Sequence, residues 1–154
     1  RTMPHLVINY SGNLDAVLDM PRLCRDCADA MLAVRDEEGE QVFPTGGTRV
    51  LAFPAPHFAL ADGGAAGRAA GAGKTGLTSD DPGEYGFMYA NLRMARGRSA
   101  ASQQKAGEAV VTAIRMHLDP AMATRHIGLT VQVDEGMEVF DAKHSTIHPL
   151  FKKP

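Results

Sequence analysis

The feature that most constrains this 154-residue chain is an alternation of strand patterns with helix patterns that occurs twice. Apolar residues recur at every second position in the strand patterns and at every third or fourth position in the helix patterns. Each helix is long enough to cross over between two parallel strands. The predicted elements are, in chain order, a strand at His5–Tyr10, a helix from Asp19 to about Arg35, a strand at Thr48–Phe53, a strand at Phe87–Met94, a helix from Ser99 to Pro120 and a strand at Ile127–Val133.

This order predicts an α/β (α+β) fold in which two tandem β-α-β units form one four-stranded sheet with both helices on one face. The opposite face of such a sheet has no covering layer within the chain. We therefore expect the chain to associate with copies of itself.

Polar and proline residues set the expected ends of these elements. Asp19 and Ser99 are candidate N-caps, because their side-chain oxygens can accept from the first backbone N–H groups of a helix. Pro120 is expected to stop the second helix, since the residue before a proline disfavours helical backbone. Pro54 and Pro56 are expected to close the second strand, because proline cannot donate a ladder hydrogen bond.

The middle of the chain is rich in glycine and alanine. From Ala61 to Gly76, twelve of sixteen residues are Gly or Ala, and no apolar period survives. Such a stretch buries little surface to offset its ordering entropy, so it is predicted to be a flexible loop. Residues 1–154 are thus expected to form a single domain with a flexible insertion at about 63–83.

Composition excludes several classes of protein. Sixteen Lys and Arg residues against eighteen Asp and Glu give a net charge of -2, which disfavours nonspecific binding to nucleic acid. No apolar run approaches the ~18–20 residues that span a bilayer, and the first ten residues lack a secretory signal pattern. With two cysteines, a disulfide scaffold is not expected. The expected location is cytoplasmic, with no nucleic-acid or membrane partner.

Two short motifs suggest other chemistry but lack the context it needs. The segment Gly71–Thr75 resembles the end of a phosphate-binding loop, yet Arg68 stands where that loop requires its first glycine. Cys24 and Cys27 have the spacing of a redox or metal pair, but no second cysteine pair exists to complete a zinc site. Both cysteines lie in a helical pattern and are expected to be structural.

Two arginines are the candidate binding residues. Arg49 lies at the edge of a predicted strand, and Arg98 lies in a tight turn before a predicted helix. A guanidinium group matches a carboxylate in two-point geometry, so two such arginines near one pocket would suit a diacid.

Several ordered motifs, spread over most of the chain, resemble one family. The chain resembles the tautomerase superfamily and, within it, the 5-carboxymethyl-2-hydroxymuconate delta-isomerases. The matching residues are Met3-Pro4-His5, Val42-Phe43-Pro44, Gly47-Thr48-Arg49, Ala61-Asp62-Gly63, Gly97-Arg98-Ser99, Gln104–Glu108, Ile147-His148 and Leu150–Lys152.

The resemblance implies a homotrimer of two β-α-β units per subunit that acts on a small dicarboxylate enol without metal or organic cofactor. It implies that Pro4 is the catalytic base and that Arg49 and Arg98 bind the substrate. Burial and nearby cations lower the pKa of an amine, so the arginines could also keep a terminal amine neutral. The chain departs from the family pattern at Leu51, where a relative has a second arginine, and in the long loop from Gly63 to Gly83.

The residues before Pro4 conflict with this mechanism. Arg1, Thr2 and Met3 make the Pro4 nitrogen a peptide amide, which is not basic. Arg1 and Thr2 are interpreted as residues left by an expression tag, and removal of Met3 would free Pro4. Two alternatives remain: a tautomerase for another 2-oxo or enol acid, and a non-catalytic ligand-binding trimer.

Overall fold

The computed structural model describes residues 4–71 and 73–151, which form one mixed sheet and three α-helices. Two 3-10 helices lie in the connections, at Gly12–Ala16 and Thr45–Gly47, and a third, at His148–Phe151, follows the last strand. The main elements are β1 (His5–Ser11), α1 (Met20–Leu32), β2 (Arg49–Ala55), α2 (Ala65–Ala70), β3 (Gly86–Met94), α3 (Ala100–Met122) and β4 (Ile127–Glu135).

The sheet has the strand order β2-β1-β3-β4. β1 pairs in parallel with β2, β3 pairs in parallel with β4, and β1 and β3 are antiparallel. Each parallel pair is joined by a long helix, which confirms the two tandem β-α-β units expected from the sequence.

Alternate residues of the central strands are buried under the two long helices. Leu6 and Ile8 of β1 are fully buried, as are Cys27 of α1 and Ile114 of α3. α1 and α3 also pack against each other, and His117 Nε2 lies 2.7 Å from Asp26 Oδ2 across their contact. The alternation read from the sequence is therefore the inner face of the sheet.

The opposite sheet face is exposed in the single chain, as expected. The side chains of Leu51, Phe53 and Tyr89 lie on it and remain 54%, 52% and 56% exposed. They lie on β2 and β3, the two strands that flank β1, because Asn9 of β1 pairs with both Phe53 and Tyr89. The result is an apolar surface that an isolated subunit would leave in water.

Both expected N-caps are confirmed. Asp19 Oδ1 accepts a hydrogen bond from Arg22 N at 3.1 Å, and Ser99 Oγ accepts one from Ser102 N at 3.1 Å. Each bond satisfies a backbone donor in the first turn of its helix, where no carbonyl is available.

The expected helix stop at Pro120 is wrong, because α3 continues to Met122. The proline lies so near the end of the helix that it removes only one backbone hydrogen bond, and burial of Ala121 favours the two further helical residues. The second strand also extends past Pro54 to Ala55. β2 is an edge strand, where a proline nitrogen can face away from the neighbouring strand.

The Gly/Ala-rich stretch includes regular structure that its composition did not predict. α2 occupies Ala65–Ala70, and Asp62 accepts hydrogen bonds from the backbone N–H groups of Gly64 and Ala66. These backbone bonds, with a further one from the Tyr85 hydroxyl, lower the pKa of the Asp62 carboxyl. The prediction of a wholly irregular loop is wrong at α2, and its flexibility stays a prediction.

No helix in the described ranges, 4–71 and 73–151, is long and apolar enough to cross a membrane.

Candidate active site

All three predicted site residues lie at the same end of the sheet, where strands begin or end. His5, the first residue of β1, pairs with Arg49 on one side and with Arg93 on the other. The starts of β1 and β2 therefore meet the end of β3. Pro4 directly precedes β1, Arg49 begins β2, and Arg98 lies in the turn after β3.

Pro4 and Arg49 are in direct contact through their backbones. Arg49 N donates to the Pro4 carbonyl oxygen at 3.5 Å, and the Pro4 side chain is fully buried. The parallel pairing of β1 with β2 thus fixes the Pro4 position against the start of the arginine-bearing strand.

The Arg49 side chain is oriented by the short helix that precedes β2. Its Nε donates to the Gly46 carbonyl oxygen at 3.3 Å. Arg49 lines a cavity of about 710 Å³ together with Leu51, Thr45 and Phe151. This cavity offers a cation beside apolar side chains.

The Arg98 guanidinium lies over an aromatic ring. Its carbon is 5.3 Å from the centroid of Phe43, which is fully buried. A cation over an aromatic face is attracted by the ring quadrupole, so Phe43 helps to hold the guanidinium in place. Arg98 lines a larger cavity of about 1070 Å³, which also includes His148.

The two arginines line adjacent cavities rather than one. Thr45 and Phe151 line both cavities and so form the wall between them. Pro4 is not among the described residues that line either one. The sequence analysis expected both arginines near one pocket, and in the single chain each arginine has its own.

The carboxyl-terminal 3-10 helix, His148–Phe151, packs on Gly46 and supplies this wall. A Cβ atom on Gly46 would lie 2.9 Å from Phe151 Cδ2 and 3.3 Å from His148 Nδ1. Glycine is therefore required at this position for the tail to approach the arginine-bearing loop. Sequence reasoning noted the tail as a family match but had no signal for this contact.

An acidic segment forms another wall of the Arg98 cavity. Asp36, Glu37 and Glu40 line it, and Ser99 Oγ donates to Glu37 Oε1 at 2.7 Å. These carboxylates repel an anionic substrate, so a substrate carboxylate is favoured only on the side of Arg98 and His148. The sequence analysis missed this wall, because residues 62 positions apart carry no local pattern that joins them.

Burial disfavours the thiolate form of both cysteines and raises the pKa of each. Cys24 and Cys27 are free thiols, and burial raises the pKa of Cys27 to about 12. Such a thiol is protonated at neutral pH and is a poor nucleophile or metal ligand. No cluster of three or more His, Cys, Asp or Glu suited to a metal is found within the described part of the chain.

Lys74 of the phosphate-loop-like motif is bonded to another part of the chain. Its Nζ donates to the Met122 carbonyl oxygen at 2.8 Å, at the carboxyl end of α3. A cation there complements the negative end of the helix dipole. The neighbouring Thr75 N donates to the Thr124 carbonyl oxygen, which fastens the same segment to the turn after α3.

Replacing Lys74 by methionine is therefore expected to weaken the fold slightly and to leave nucleotide binding absent. Loss of one charge-assisted bond should lower Tm by about 2–4 °C. Calorimetry should detect no ATP binding to either protein. The control is Lys143→Met, which removes a lysine whose ion-pair partner, Asp141, lies two residues away in the carboxyl-terminal segment. Micromolar ATP binding that disappears in Lys74→Met would instead restore the phosphate-loop interpretation.

The fold is an α+β arrangement of tandem β-α-β units, and comparison with known proteins identifies its class as an isomerase. The family model for 5-carboxymethyl-2-hydroxymuconate isomerase matches residues 4–151, and the chain belongs to that family. This confirms the resemblance read from the sequence motifs.

Individual relatives agree with this assignment. The chain is 25% identical over 150 residues to the 5-carboxymethyl-2-hydroxymuconate Delta-isomerase of Escherichia coli, covering 97% of this chain and all of the relative. A crystal structure of a 5-carboxymethyl-2-hydroxymuconate delta-isomerase is 59% identical, with a TM-score of 0.89 over 99% of this chain and 95% of the other. The isomerase of Deinococcus radiodurans R1 is 25% identical, with a TM-score of 0.75 over 99% and 96% of the two chains.

Proposed function

We propose that this chain shifts a double bond in a 2-hydroxymuconate-type dicarboxylate, without a cofactor, by proton transfer through the amine of Pro4. The observation that carries the proposal is that Pro4, Arg49 and Arg98 lie at the same end of the sheet. The family match, which begins at residue 4, supports it. The active form in this proposal begins at Pro4.

The proposed reaction needs one group that both accepts and returns a proton. The neutral secondary amine of Pro4 takes the proton of the substrate's 2-hydroxyl group, and the electrons of the broken O–H bond delocalise to form a dienolate. The resulting ammonium then protonates a carbon of the dienolate, which gives an unsaturated 2-oxo acid and completes the double-bond shift. Negative charge builds up on the dienolate oxygens, where a guanidinium group stabilises it.

The arginines bind the two ends of the substrate in this scheme. Arg49 and Arg98 lie in adjacent cavities that share a wall at Thr45 and Phe151. A diacid can place one carboxylate in each cavity while its carbon chain crosses the wall. The separation of the cavities thus favours a substrate with two anionic ends over a small monoacid.

A second candidate is a tautomerase of another 2-oxo or enol acid. It is favoured by Leu51, which lines the Arg49 cavity at the position where the resemblance expects a second arginine. The other cation of this cavity, Arg25, is paired with Asp29. The deciding experiment assays Pro4-initiated protein against muconate-type diacids and simple enol monoacids. Preference for the monoacids would select the second candidate, and turnover of neither would favour a non-catalytic binding protein.

We also infer that the subunits form a homotrimer through the exposed sheet face. Sedimentation of the protein at micromolar concentration should show about three chains per particle. Phe53→Asp places a charge on this face and should dissociate the particle into monomers. The control is Phe140→Asp, since Phe140 is also exposed but lies outside the sheet. A wild-type monomer would contradict this inference.

A further inference from the structure

A separate cavity lies at the opposite end of the sheet, between the Gly/Ala-rich segment and the starts of β3 and β4. Its volume is about 460 Å³, within the range of small-molecule sites. The two ends of the sheet are separated by the length of β3, which is eight residue steps or ~26 Å. The cavity is therefore distinct from the site at the end of the sheet where Pro4 lies.

The walls of this cavity combine apolar surface with positive charge. Lys74, Arg125 and His126 line it, and no Asp or Glu is among its lining residues in the described ranges. Apolar wall is supplied by Leu60, Phe87, Met122 and Ile127.

Two nitrogen atoms of these side chains have no hydrogen-bond partner. Arg125 Nε and His126 Nε2 are buried, and neither has a partner within residues 4–71 and 73–151. A buried polar group without a partner is costly, and most such groups in folded proteins are satisfied. Both atoms are covered by protein, so this wall attracts an anion through the charge of the Arg125 guanidinium rather than through a bond to either atom.

Lys74 adds a third donor group on another wall. Its ammonium has three donors, and one of them bonds the Met122 carbonyl oxygen. That bond holds the ammonium at the cavity while further donors can meet a ligand. Lys74 of the Gly/Ala-rich segment thus lines the same cavity as Arg125 and His126 of the α3–β4 turn.

We propose that this cavity binds a small aromatic monocarboxylate. The carboxylate lies among Lys74, Arg125 and His126, and the ring lies against the apolar wall that includes Phe87. A fully hydrated anion such as inorganic phosphate would leave that wall unused. A neutral aromatic compound would leave the positive charges of Lys74 and Arg125 without a counter-charge in the cavity.

Calorimetry with 3-phenylpropanoate tests the proposal. The protein used is the Arg98→Ala variant, so that binding at the candidate active site is suppressed. One ligand should bind per chain with a Kd on the order of 10⁻⁴ M. The neutral amide of the same acid should bind at least ~10-fold more weakly, because it lacks the charge. An excess of inorganic phosphate should not displace the acid.

Gly128 offers a matched pair of variants at the cavity mouth. A Cβ atom there would meet only Phe87 Cβ, at 4.0 Å, so a larger side chain fits. Gly128→Asp adds a negative charge to the cavity that Lys74 and Arg125 line, and it should weaken acid binding at least ~10-fold. Gly128→Asn has the same shape without the charge and should change Kd less than ~3-fold. Gly128 pairs with Phe87 on the sheet face proposed for the trimer contact, so the pair is compared only if both variants sediment as the wild-type particle does. If Gly128→Asp dissociates the particle, the arginine pair below decides the test.

A second pair protects the test against misfolding. Arg125→Gln should weaken binding of the acid, whereas Arg115→Gln, an exposed arginine of α3 paired with Asp119, should not. Absence of binding in the starting protein, equal binding of acid and amide, or equal effects within both variant pairs would overturn the proposal. Enzyme activity is not the measured quantity, so failure here is distinguishable from failure of the proposed isomerase.

Discussion

A chain that begins at Pro4 is expected to isomerise a 2-hydroxymuconate-type acid faster than the chain that retains Arg1, Thr2 and Met3. The expected ratio of the rates is about 10²–10⁴, which is the contribution typical of a positioned base. The amide nitrogen in the longer chain has its lone pair delocalised into the carbonyl group and cannot accept a proton near neutral pH. The measurement compares kcat/KM for the two proteins, each with its amino terminus verified by mass spectrometry.

The pH profile and one variant test whether the amine itself is responsible. In the Pro4-initiated protein, kcat/KM should fall at low pH, because protonation of the amine removes the base. Pro4→Ala with a free amino terminus should keep partial activity, since a primary amine still accepts a proton in a looser geometry. Equal rates for the long and Pro4-initiated chains would exclude the amine as the base and direct attention to His5 and His57.

Truncation of Arg98 to alanine is expected to lower kcat/KM by on the order of 10²-fold, since a charged hydrogen bond contributes ~1.5–3 kcal/mol. Arg49→Ala should have a similar effect. Arg96→Ala is the control, because Arg96 is exposed in the same connection as Arg98 and does not line either cavity. The kinetics should be measured with the Pro4-initiated form of each variant.

A lysine variant separates charge from geometry at the same position. Arg98→Lys keeps the positive charge but loses the planar two-point contact, so it should recover part of the lost activity. Wild-type kinetics in folded Arg49→Ala and Arg98→Ala proteins would show that neither arginine binds the substrate.

Local sequence patterns were sufficient to predict the fold. Alternation from Phe87 to Met94 identified a strand with one buried face, and Asp19 and Ser99 identified the helix starts. These features are local, because a strand or a capped turn is decided by residues within a few positions of each other. The parallel pairing followed from helix length alone.

Features that depend on distant residues were not predicted. Burial of Ala121 carries α3 past Pro120, and the approach of Phe151 to Gly46 separates the two arginine cavities. The ring of Phe43 beneath Arg98 is also a contact between distant segments. Each of these outcomes depends on tertiary packing, which no local pattern encodes.

The antiparallel pairing of β1 with β3 relates the two β-α-β units by an approximate twofold rotation. The rotation carries the start of β1 onto the start of β3, and the start of β2 onto the start of β4. Pro4 then corresponds to Tyr85, and Thr48 with Arg49 corresponds to His126 with Ile127. The strand starts of the two halves therefore lie at opposite ends of the sheet, with Arg49 at one end and Arg125 and His126 next to the other. The proposed proton-transfer site and the proposed ligand cavity thus belong to different halves, so a substitution in one half need not alter the site in the other.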